Sequence, residues 1–170
     1  MSNIPVLGFA ANSGTGKTTL LSRLIPILNE RGLKVGLIKH SHHDFDIDQP
    51  GKDSYRLRKA GASPVVLVSK HRRAVITELS AGEPTLKEQL YCFSDNSVDL
   101  IIVEGFKQES FPKIELYRLA LNGPLLHSHD ESIIAIASDD KLSTPLPLLD
   151  LNNPAQIADF ITNQFLKTYA

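Results

Sequence analysis

The residues between positions 11 and 19 have the composition of a phosphate-binding loop. The stretch reads Ala11-Asn12-Ser13-Gly14-Thr15-Gly16-Lys17-Thr18-Thr19. Gly14 and Gly16 allow the backbone to turn its N–H groups toward an anion, and the N-terminus of the predicted helix behind them adds a positive dipole. Lys17 can reach the β- and γ-phosphates of a nucleotide, and the Thr18 hydroxyl can ligate Mg²⁺. The pattern predicts a P-loop, with Ala11 where such loops usually begin with glycine.

An acidic side chain follows an apolar run further along the chain. Glu104 is the first charged residue after residues 100–103, and Gly105 behind it permits close approach of the backbone to a ligand. A P-loop nucleotide site needs such a carboxylate at the end of a neighbouring strand, to hold the metal through water or to polarise a water molecule. We therefore predict that Thr18 and Glu104 bind Mg²⁺ and that Lys17 and Glu104 are the catalytic residues.

A basic segment rich in histidine follows the second predicted strand. Residues 34–73 contain nine Lys or Arg against four Asp, which favours an anionic ligand. Five residues of this segment are predicted to contact it: Lys39, His40, His42, His43 and Asp44. In an extended chain His40 and His42 point to the same side, a spacing that also suits a metal ion, and a solvated loop is the third interpretation.

The composition excludes several classes of protein. The chain has 170 residues, 18 Lys+Arg, 19 Asp+Glu and a formal net charge of -1, which argues against a dedicated nucleic-acid-binding domain. Its apolar runs are shorter than the roughly 20 residues needed to cross a bilayer, and we see no secretory signal, so we expect no membrane partner. The single Cys92 cannot form an internal disulfide, which suits the cytoplasm, and we expect it to be buried. We predict one domain over residues 1–170.

Apolar runs of strand length alternate with stretches of helical period, which predicts an α/β fold with a mostly parallel sheet flanked by helices. The predicted strands span residues 4–10, 34–40, 98–103, 113–118, 133–137 and 146–149. The predicted helices span residues 17–31, 53–60 and 85–93, and a last helix begins near residue 153. Residues 64–69 and 74–78 predict an antiparallel hairpin that extends the sheet at its margin.

Several motifs together resemble one family. The P-loop residues Gly14-Thr15-Gly16-Lys17-Thr18-Thr19 occur in the same order as Leu37-Ile38-Lys39-His40, Pro50-Gly51-Lys52-Asp53-Ser54 and Val103-Glu104-Gly105-Phe106-Lys107. In this combination the chain, from about residue 6 to residue 160, resembles the molybdopterin-guanine dinucleotide biosynthesis protein B (MobB) family. The combination is more specific than the P-loop alone.

The resemblance implies a GTP-binding accessory protein of molybdenum cofactor synthesis with the P-loop NTPase fold and weak, Mg²⁺-dependent GTPase activity. It implies work beside a MobA-type guanylyltransferase, which joins GMP to molybdopterin, so molybdopterin or its carrier is a further expected partner. It also implies a homodimer. Carried over by position, residues 14–19 match the phosphate loop, Glu104 matches the acidic residue of the second motif, and residues 39–44 match a loop that faces the nucleotide.

Recognition of the base is less clear from the sequence, because the chain lacks the Asn-Lys-x-Asp stretch that usually reads guanine. Asp139, after the predicted strand at residues 133–137, is our candidate for this contact, with a turn-forming acid as the alternative. Two other functions remain open: a P-loop kinase of a small molecule, and a nickel-type metallochaperone GTPase that uses the histidines. The hairpin at residues 64–78 is apolar for a solvated edge, so we predict that it forms the dimer interface.

Overall fold

The strands of the protein form two separate sheets. The computed structural model describes residues 4–41, 44–80, 82–93 and 98–169. In chain order the strands are β1 (Val6–Ala11), β2 (Val35–Lys39), β3 (Val65–Val68), β4 (Arg73–Ile76), β5 (Leu100–Glu104), β6 (Lys113–Tyr117), β7 (Ile133–Ser138) and β8 (Leu148–Asp150). The larger sheet has the order β2-β5-β1-β6-β7-β8, and every neighbouring pair in it is parallel. The predicted fold class is therefore confirmed.

Four α-helices accompany the strands in the described part of the chain. They are α1 (Lys17–Glu30), α2 (Asp53–Lys59), α3 (Leu86–Leu90) and α4 (Pro154–Phe160), and α4 continues through a π-helical turn at Ile161–Phe165. Short 3₁₀ turns lie at Leu119–Leu121, Leu126–Ser128 and Leu166–Tyr169. Within the part of the chain that the structure describes, no helix combines the length and the apolar composition needed to cross a membrane.

Side-chain alternation along the strands separates two apolar clusters. Leu7 of β1 and Ile102 of β5 face the cluster that α1 and α4 complete, and the stripe of α1 that points into it consists of Leu20, Leu21, Leu24 and Leu28. Ile101 and Val103 face the opposite cluster, which contains Leu86 of α3. Burying one leucine side chain of this kind stabilises the fold by about 1.5–3 kcal/mol. These two clusters hold the strand ends in place.

The chain divides into two compact units. The core unit comprises the described residues of segments 4–40 and 86–169 and contains the six-stranded sheet with α1, α3 and α4. The insert unit comprises those of residues 41–85 and contains α2 and the hairpin of β3 and β4. A single domain over residues 1–170 stays a prediction.

The expectation that the hairpin extends the large sheet at its margin is wrong, because its two strands are not paired with any strand of that sheet. The two margins are formed by β2 and β8, and β3 pairs with β4 alone, with Val66 opposite Val75. Within the insert unit, Arg58 of α2 is buried and donates hydrogen bonds to the carboxylates of Asp46 and Glu78. The hydrogen bond from Arg58 lowers the pKa of Glu78. This buried guanidinium ties α2 to both ends of the insert unit.

Two charged residues of β6 are buried on the sheet face opposite α1. Lys113 donates hydrogen bonds from Nζ to Glu109 O (2.6 Å), Asp130 Oδ2 (2.9 Å) and the Ser132 hydroxyl (2.7 Å). Burial alone raises the pKa of Asp130, but hydrogen bonds from Ser132 and Lys113 outweigh it, and the pKa lies below the usual value. The loop segments that contain Glu109, Asp130 and Ser132 therefore cover Lys113 through polar contacts.

Glu115, two residues further along β6, anchors the loop that follows the strand. Its carboxylate accepts hydrogen bonds from the backbone N–H groups of Leu126 (2.6 Å) and His127 (2.9 Å). Glu115 is only 1% exposed, so each of these bonds satisfies a group that has no access to water. The loop at residues 118–129 is thereby held next to the carboxyl end of β6.

The expectation that Cys92 is buried is wrong. The cysteine is exposed, because α3 ends at Leu90 and Cys92 lies in the turn that follows it. The apolar contacts of this segment are supplied instead by Leu90 and Phe93, which pack against the cluster around Ile101.

Candidate functional site

The carboxyl ends of the parallel strands lie at one edge of the large sheet. Lys39 ends β2 and Glu104 ends β5, whereas the P-loop follows β1, Arg118 follows β6, and Asp139 follows β7. Beside β1 the direction of the connections changes, since the chain passes from β1 toward β2 on one side and from β6 toward β7 on the other. Open parallel sheets bind ligands in the crevice outside such a switch point.

The loop between β1 and α1 has the backbone conformation that a P-loop requires. Gly14 and Gly16 have φ values of 80° and 94°, in the left-handed region that glycine adopts without steric cost. The buried Thr15 donates a hydrogen bond from its hydroxyl to Asn12 O at 2.7 Å, which closes the loop on itself. Gly16 is the N-cap of α1, so the helix dipole points into the loop. The first turn of α1 contains no acidic residue that would oppose an anion.

Glu104 lies between two lysines at this edge. Its carboxylate is 3.7 Å from Lys17 Nζ and 3.7 Å from Lys39 Nζ. Burial lowers the pKa of Lys17, and the charges of Lys107 and Lys39 lower it further, whereas Glu104 opposes the shift. One carboxylate thus faces several ammonium groups, and an anionic ligand would relieve their mutual repulsion.

The turn after Glu104 packs tightly against the end of β2. Gly105 has φ 106°, and a Cβ atom at this position would lie 2.5 Å from His40 Cβ. Phe106 also has a positive φ, 50°, and its ring stacks on that of His40 with centroids 4.5 Å apart. The His40 N–H donates to Glu104 O at 2.7 Å. We expected Gly105 to allow approach of a ligand, and the structure shows that it already allows the approach of His40.

Lys107 completes this turn and contacts the P-loop. Its Nζ donates a hydrogen bond to Ala11 O at 3.1 Å, where β1 ends and the loop begins. Lys107 had no role of its own in the predicted site. The sequence signal for this contact was the position of Lys107, three residues after Glu104. Because Gly105 and Phe106 both have positive φ and turn the chain, a lysine at this position can contact the neighbouring strand.

Arg118 and Asp139 meet on the other side of the P-loop. Arg118 Nε donates to Thr15 O at 3.1 Å, and its Nη1 lies 3.2 Å from Asp139 Oδ2. The other oxygen of Asp139 accepts the Leu119 N–H at 3.0 Å. Sequence reasoning missed Arg118, because nothing in its local sequence distinguishes it from any residue at a strand end.

The remaining predicted site residues fall into three groups. Ser13, Thr18 and Thr19 are exposed on the P-loop and the first turn of α1, and Asn12 lies beside Gly123, where a Cβ atom would be 2.6 Å from Asn12 Nδ2. Asp44 is exposed and belongs to the insert unit. His42 and His43 lie outside the described residues. Among residues 4–41, 44–80, 82–93 and 98–169, no group of three or more His, Cys, Asp or Glu side chains is arranged to hold a metal ion.

The oxygen donors at the sheet edge suit a magnesium ion that is also bound by phosphates and water. Mg²⁺ in nucleotide sites takes one or two protein oxygens and completes its shell with phosphates and water. The exposed Thr18 hydroxyl and the Glu104 carboxylate, 15% exposed, are oxygen ligands of this kind. The residues present therefore fit a nucleotide-bound Mg²⁺.

The first strand of the parallel sheet leads into a glycine-rich loop, a lysine and a helix, and a carboxylate lies at the end of the adjacent strand. These features define a P-loop protein of the NTPase type. The family model described as "Molybdopterin guanine dinucleotide synthesis protein B" (MobB) matches residues 6–139. The chain belongs to the MobB family, and the resemblance seen in the sequence is confirmed.

Individual relatives agree with this assignment over nearly the whole chain. A molybdopterin-guanine dinucleotide biosynthesis adapter protein of Escherichia coli (strain K12) is 49% identical over 166 residues, 96% of this chain and 95% of the relative. A protein of the same description from Haemophilus influenzae is 45% identical over 163 residues, 95% of this chain and 90% of the relative. A crystal structure of molybdopterin-guanine biosynthesis protein B superposes with a TM-score of 0.74 at 28% identity, covering 93% of this chain and 98% of that one.

Proposed function

We propose that the protein is a GTP-binding adapter in the biosynthesis of molybdopterin guanine dinucleotide, where it assists a MobA-type guanylyltransferase. The pathway is supported by the family and by the descriptions of the relatives. The nucleotide is supported by one observation above all: Lys17 and Lys39 converge on Glu104 at the mouth of a loop with left-handed Gly14 and Gly16. The two ammonium groups provide positive charge at the mouth of the loop, which the negative charge of a triphosphate requires.

The P-loop binds the phosphates through its backbone and through Lys17. The N–H groups of the loop and of the first turn of α1 would bind the β-phosphate, and Lys17, now 3.7 Å from Glu104, would bind the β- and γ-phosphates. Thr18 and Glu104 would hold the Mg²⁺ ion, which would supply neutralisation of the phosphate charge. Lys39, with more than half of its side chain exposed, is free to follow the γ-phosphate.

Asp139 reads the guanine base. An ionised carboxylate has about four lone-pair sites, and the bonds from Arg118 and Leu119 use one on each oxygen of Asp139. One acceptor site per oxygen is left for the N1–H and the 2-amino group of guanine. Adenine offers no such pair of donors, so GTP is favoured over ATP.

Hydrolysis of GTP by water at the γ-phosphate is slow in this proposal. Efficient GTPases present an arginine to the transferred phosphoryl group and orient the attacking water with a glutamine. Here the Arg118 guanidinium is already engaged by Thr15 O and Asp139, which supports binding and orientation of the nucleotide rather than fast turnover.

We further propose a homodimer whose interface includes the hairpin of the insert unit. Val66 and Val75 face each other across β3 and β4 and are 53% and 55% exposed, with Val68 beside them at 73%. A two-stranded hairpin is marginally stable alone, and each of its strands has an open edge. A second copy of the chain, packed on this face around a two-fold axis, would bury the valines of both copies.

Light scattering at micromolar concentration tests the dimer. We expect about twice the mass of 18.7 kDa for the wild type and a monomer for Val66→Lys and Val75→Lys. Tyr91→Lys, at an exposed site of the core unit, is the matched control and stays dimeric. A monomeric wild type contradicts the dimer, and dimeric hairpin variants place the interface elsewhere. Molybdopterin or its carrier and a cytoplasmic location stay predictions.

The nucleotide proposal is tested by calorimetric titration with GTP and ATP, with and without Mg²⁺. Lys17→Ala removes a charge-assisted contact, so we expect the Kd for GTP to rise about 10-fold to 100-fold while the variant stays folded. Lys34→Ala is the control, because Lys34 is an exposed lysine immediately before β2, at the opposite edge of the sheet. Equal GTP binding by the Lys17→Ala variant and the wild type contradicts the proposal.

A further inference from the structure

Arg118 connects two parts of the edge that belong to different strands. Nε of its guanidinium bonds to Thr15 O in the P-loop after β1, and Nη1 bonds to Asp139 after β7. Its side chain is 34% exposed, so the contacts are partly shielded from water. A planar guanidinium with two fixed N–H directions sets the distance and the angle between its two acceptors.

Asp139 is held from two sides by consecutive residues. Oδ2 faces Arg118 Nη1, and Oδ1 accepts the N–H of Leu119. Leu119 begins a 3₁₀ turn in the loop that the buried Glu115 anchors through Leu126. The Asp139 carboxylate is therefore oriented by elements that are themselves fixed, and only 21% of its side chain is exposed.

Thr15, the P-loop partner of Arg118, is equally well fixed. It is 2% exposed, and its hydroxyl bonds to Asn12 O inside the loop. A shift of the P-loop on phosphate binding would thus move Thr15 O, and through Arg118 it would act on the Asp139 carboxylate. Arg118 therefore links the P-loop directly to Asp139.

We propose that Arg118 is a positioning residue that fixes the Asp139 carboxylate relative to the P-loop and so couples the recognition of guanine to the binding of the phosphates. This inference rests on the proposed function, in which Asp139 reads the base. Recognition of two adjacent N–H donors depends on the orientation of the carboxylate, because a hydrogen bond weakens steeply as its angle departs from linearity. Without Arg118 the carboxylate keeps its charge but loses its orientation.

The test compares GTP with ITP, whose base lacks the 2-amino group, and with inorganic tripolyphosphate, which has no base. The wild type should bind GTP about 10-fold or more tightly than ITP, since ITP forfeits a hydrogen bond to a charged acceptor. Arg118→Met should reduce this preference to about 2-fold or less, with a smaller change for tripolyphosphate. Arg118→Lys keeps the charge but cannot bond to both acceptors, and should lie between the two. Arg23→Met, on the exposed face of α1, is the control.

The outcomes separate this inference from the proposed function. Asp139→Asn replaces an acceptor by a donor and should shift binding from GTP to XTP, whose base has a carbonyl at C2. A wild type without preference for GTP over ITP, or an Asp139→Asn variant without the shift, overturns the base contact and the inference with it. If both results hold and Arg118→Met keeps the full preference, the inference on Arg118 alone is overturned. Loss of GTP, ITP and tripolyphosphate binding in equal proportion assigns Arg118 a purely structural role and also overturns it. Circular dichroism confirms folding, and Arg118→Lys carries the test if Arg118→Met unfolds.

Discussion

Replacement of Gly105 by alanine tests how closely the end of β5 packs against the end of β2. The φ of Gly105 is 106°, where an L residue with a side chain costs about 1–2 kcal/mol. The added methyl group would lie 2.5 Å from His40 Cβ, 3.2 Å from His40 O and 3.3 Å from His40 Cα. These atoms are backbone or attached directly to it, so they cannot move away by a rotamer change, and overpacking of this kind costs a further 1–3 kcal/mol or so. Reduced entropy of the unfolded chain returns about 0.4–1 kcal/mol.

We therefore expect Gly105→Ala to lower the free energy of unfolding by about 1–4.5 kcal/mol, which corresponds to a fall in Tm of about 2–18 °C for a chain of this length. Gly32→Ala is the matched control in the core unit. Gly32 also has a positive φ, 88°, but no atom lies within 4 Å of an added Cβ, so its variant carries the strain without the clash. The difference between the two variants measures the contact with His40.

The measurement is urea denaturation followed by circular dichroism, combined with GTP titration at a temperature where both variants are folded. Gly105→Ala should also weaken Mg²⁺-dependent GTP binding, because the shift of the turn displaces the neighbouring Glu104 carboxylate. If Gly105→Ala is as stable as Gly32→Ala, the close packing of the two strand ends does not exist in solution and the reasoning is refuted.

Three further outcomes follow from the charges. Burial lowers the pKa of Lys17 in the unliganded protein, and we expect a bound phosphate to raise it again. GTP affinity should therefore fall as the pH rises toward the ordinary lysine value of about 10.4, and Lys17→Arg should flatten this dependence. A pH-independent GTP affinity of the wild type contradicts the prediction. Thr18→Ala and Glu104→Gln should each weaken Mg²⁺-dependent hydrolysis more than GDP binding, because the loop amides can still hold the β-phosphate without the ion. Full Mg²⁺-dependent turnover by Glu104→Gln contradicts the assignment of Glu104 as a metal ligand. The pKa of Asp130 is lower in the folded protein than its unfolded value of about 4, so the ionised carboxylate stabilises the fold above that pH. This stabilisation is lost as the pH falls through the folded pKa, so the difference in stability between the wild type and Asp130→Asn should shrink in acid. A difference that stays unchanged during acid titration contradicts the ion pair with Lys113.

Those features of the site that depend on short stretches of sequence were predictable. The P-loop and α1 follow from residues 14–28, where two glycines, a lysine and an apolar stripe specify a turn and then a helix. Glu104 and Asp139 were placed correctly at strand ends, because an apolar run that ends in an acidic residue indicates where a buried strand reaches the surface.

The contacts between strand ends were not predictable from one sequence. The bonds of Lys107 to Ala11 O and of Arg118 to Thr15 O join residues about a hundred positions apart, and they depend on which strands become neighbours. The alternation of charged and apolar residues in β6 is typical of a strand with one face in water. All five residues are nevertheless buried, because loops with matching polar groups cover Lys113 and Glu115. Local sequence carries no signal of that cover.

The place of the insert unit in the chain has a consequence for how members of such a family can diverge. Residues 41–85 lie in the crossover between β2 and β5, two strands that are adjacent and parallel in the sheet. A parallel crossover requires only about a dozen residues, and the entropy cost of closing a longer connection grows slowly with its length. The sheet therefore sets no strict limit on this segment. Evolution can lengthen, shorten or exchange it without altering the register of any strand, and a protein engineer can use the same junction to graft a different module onto an intact sheet.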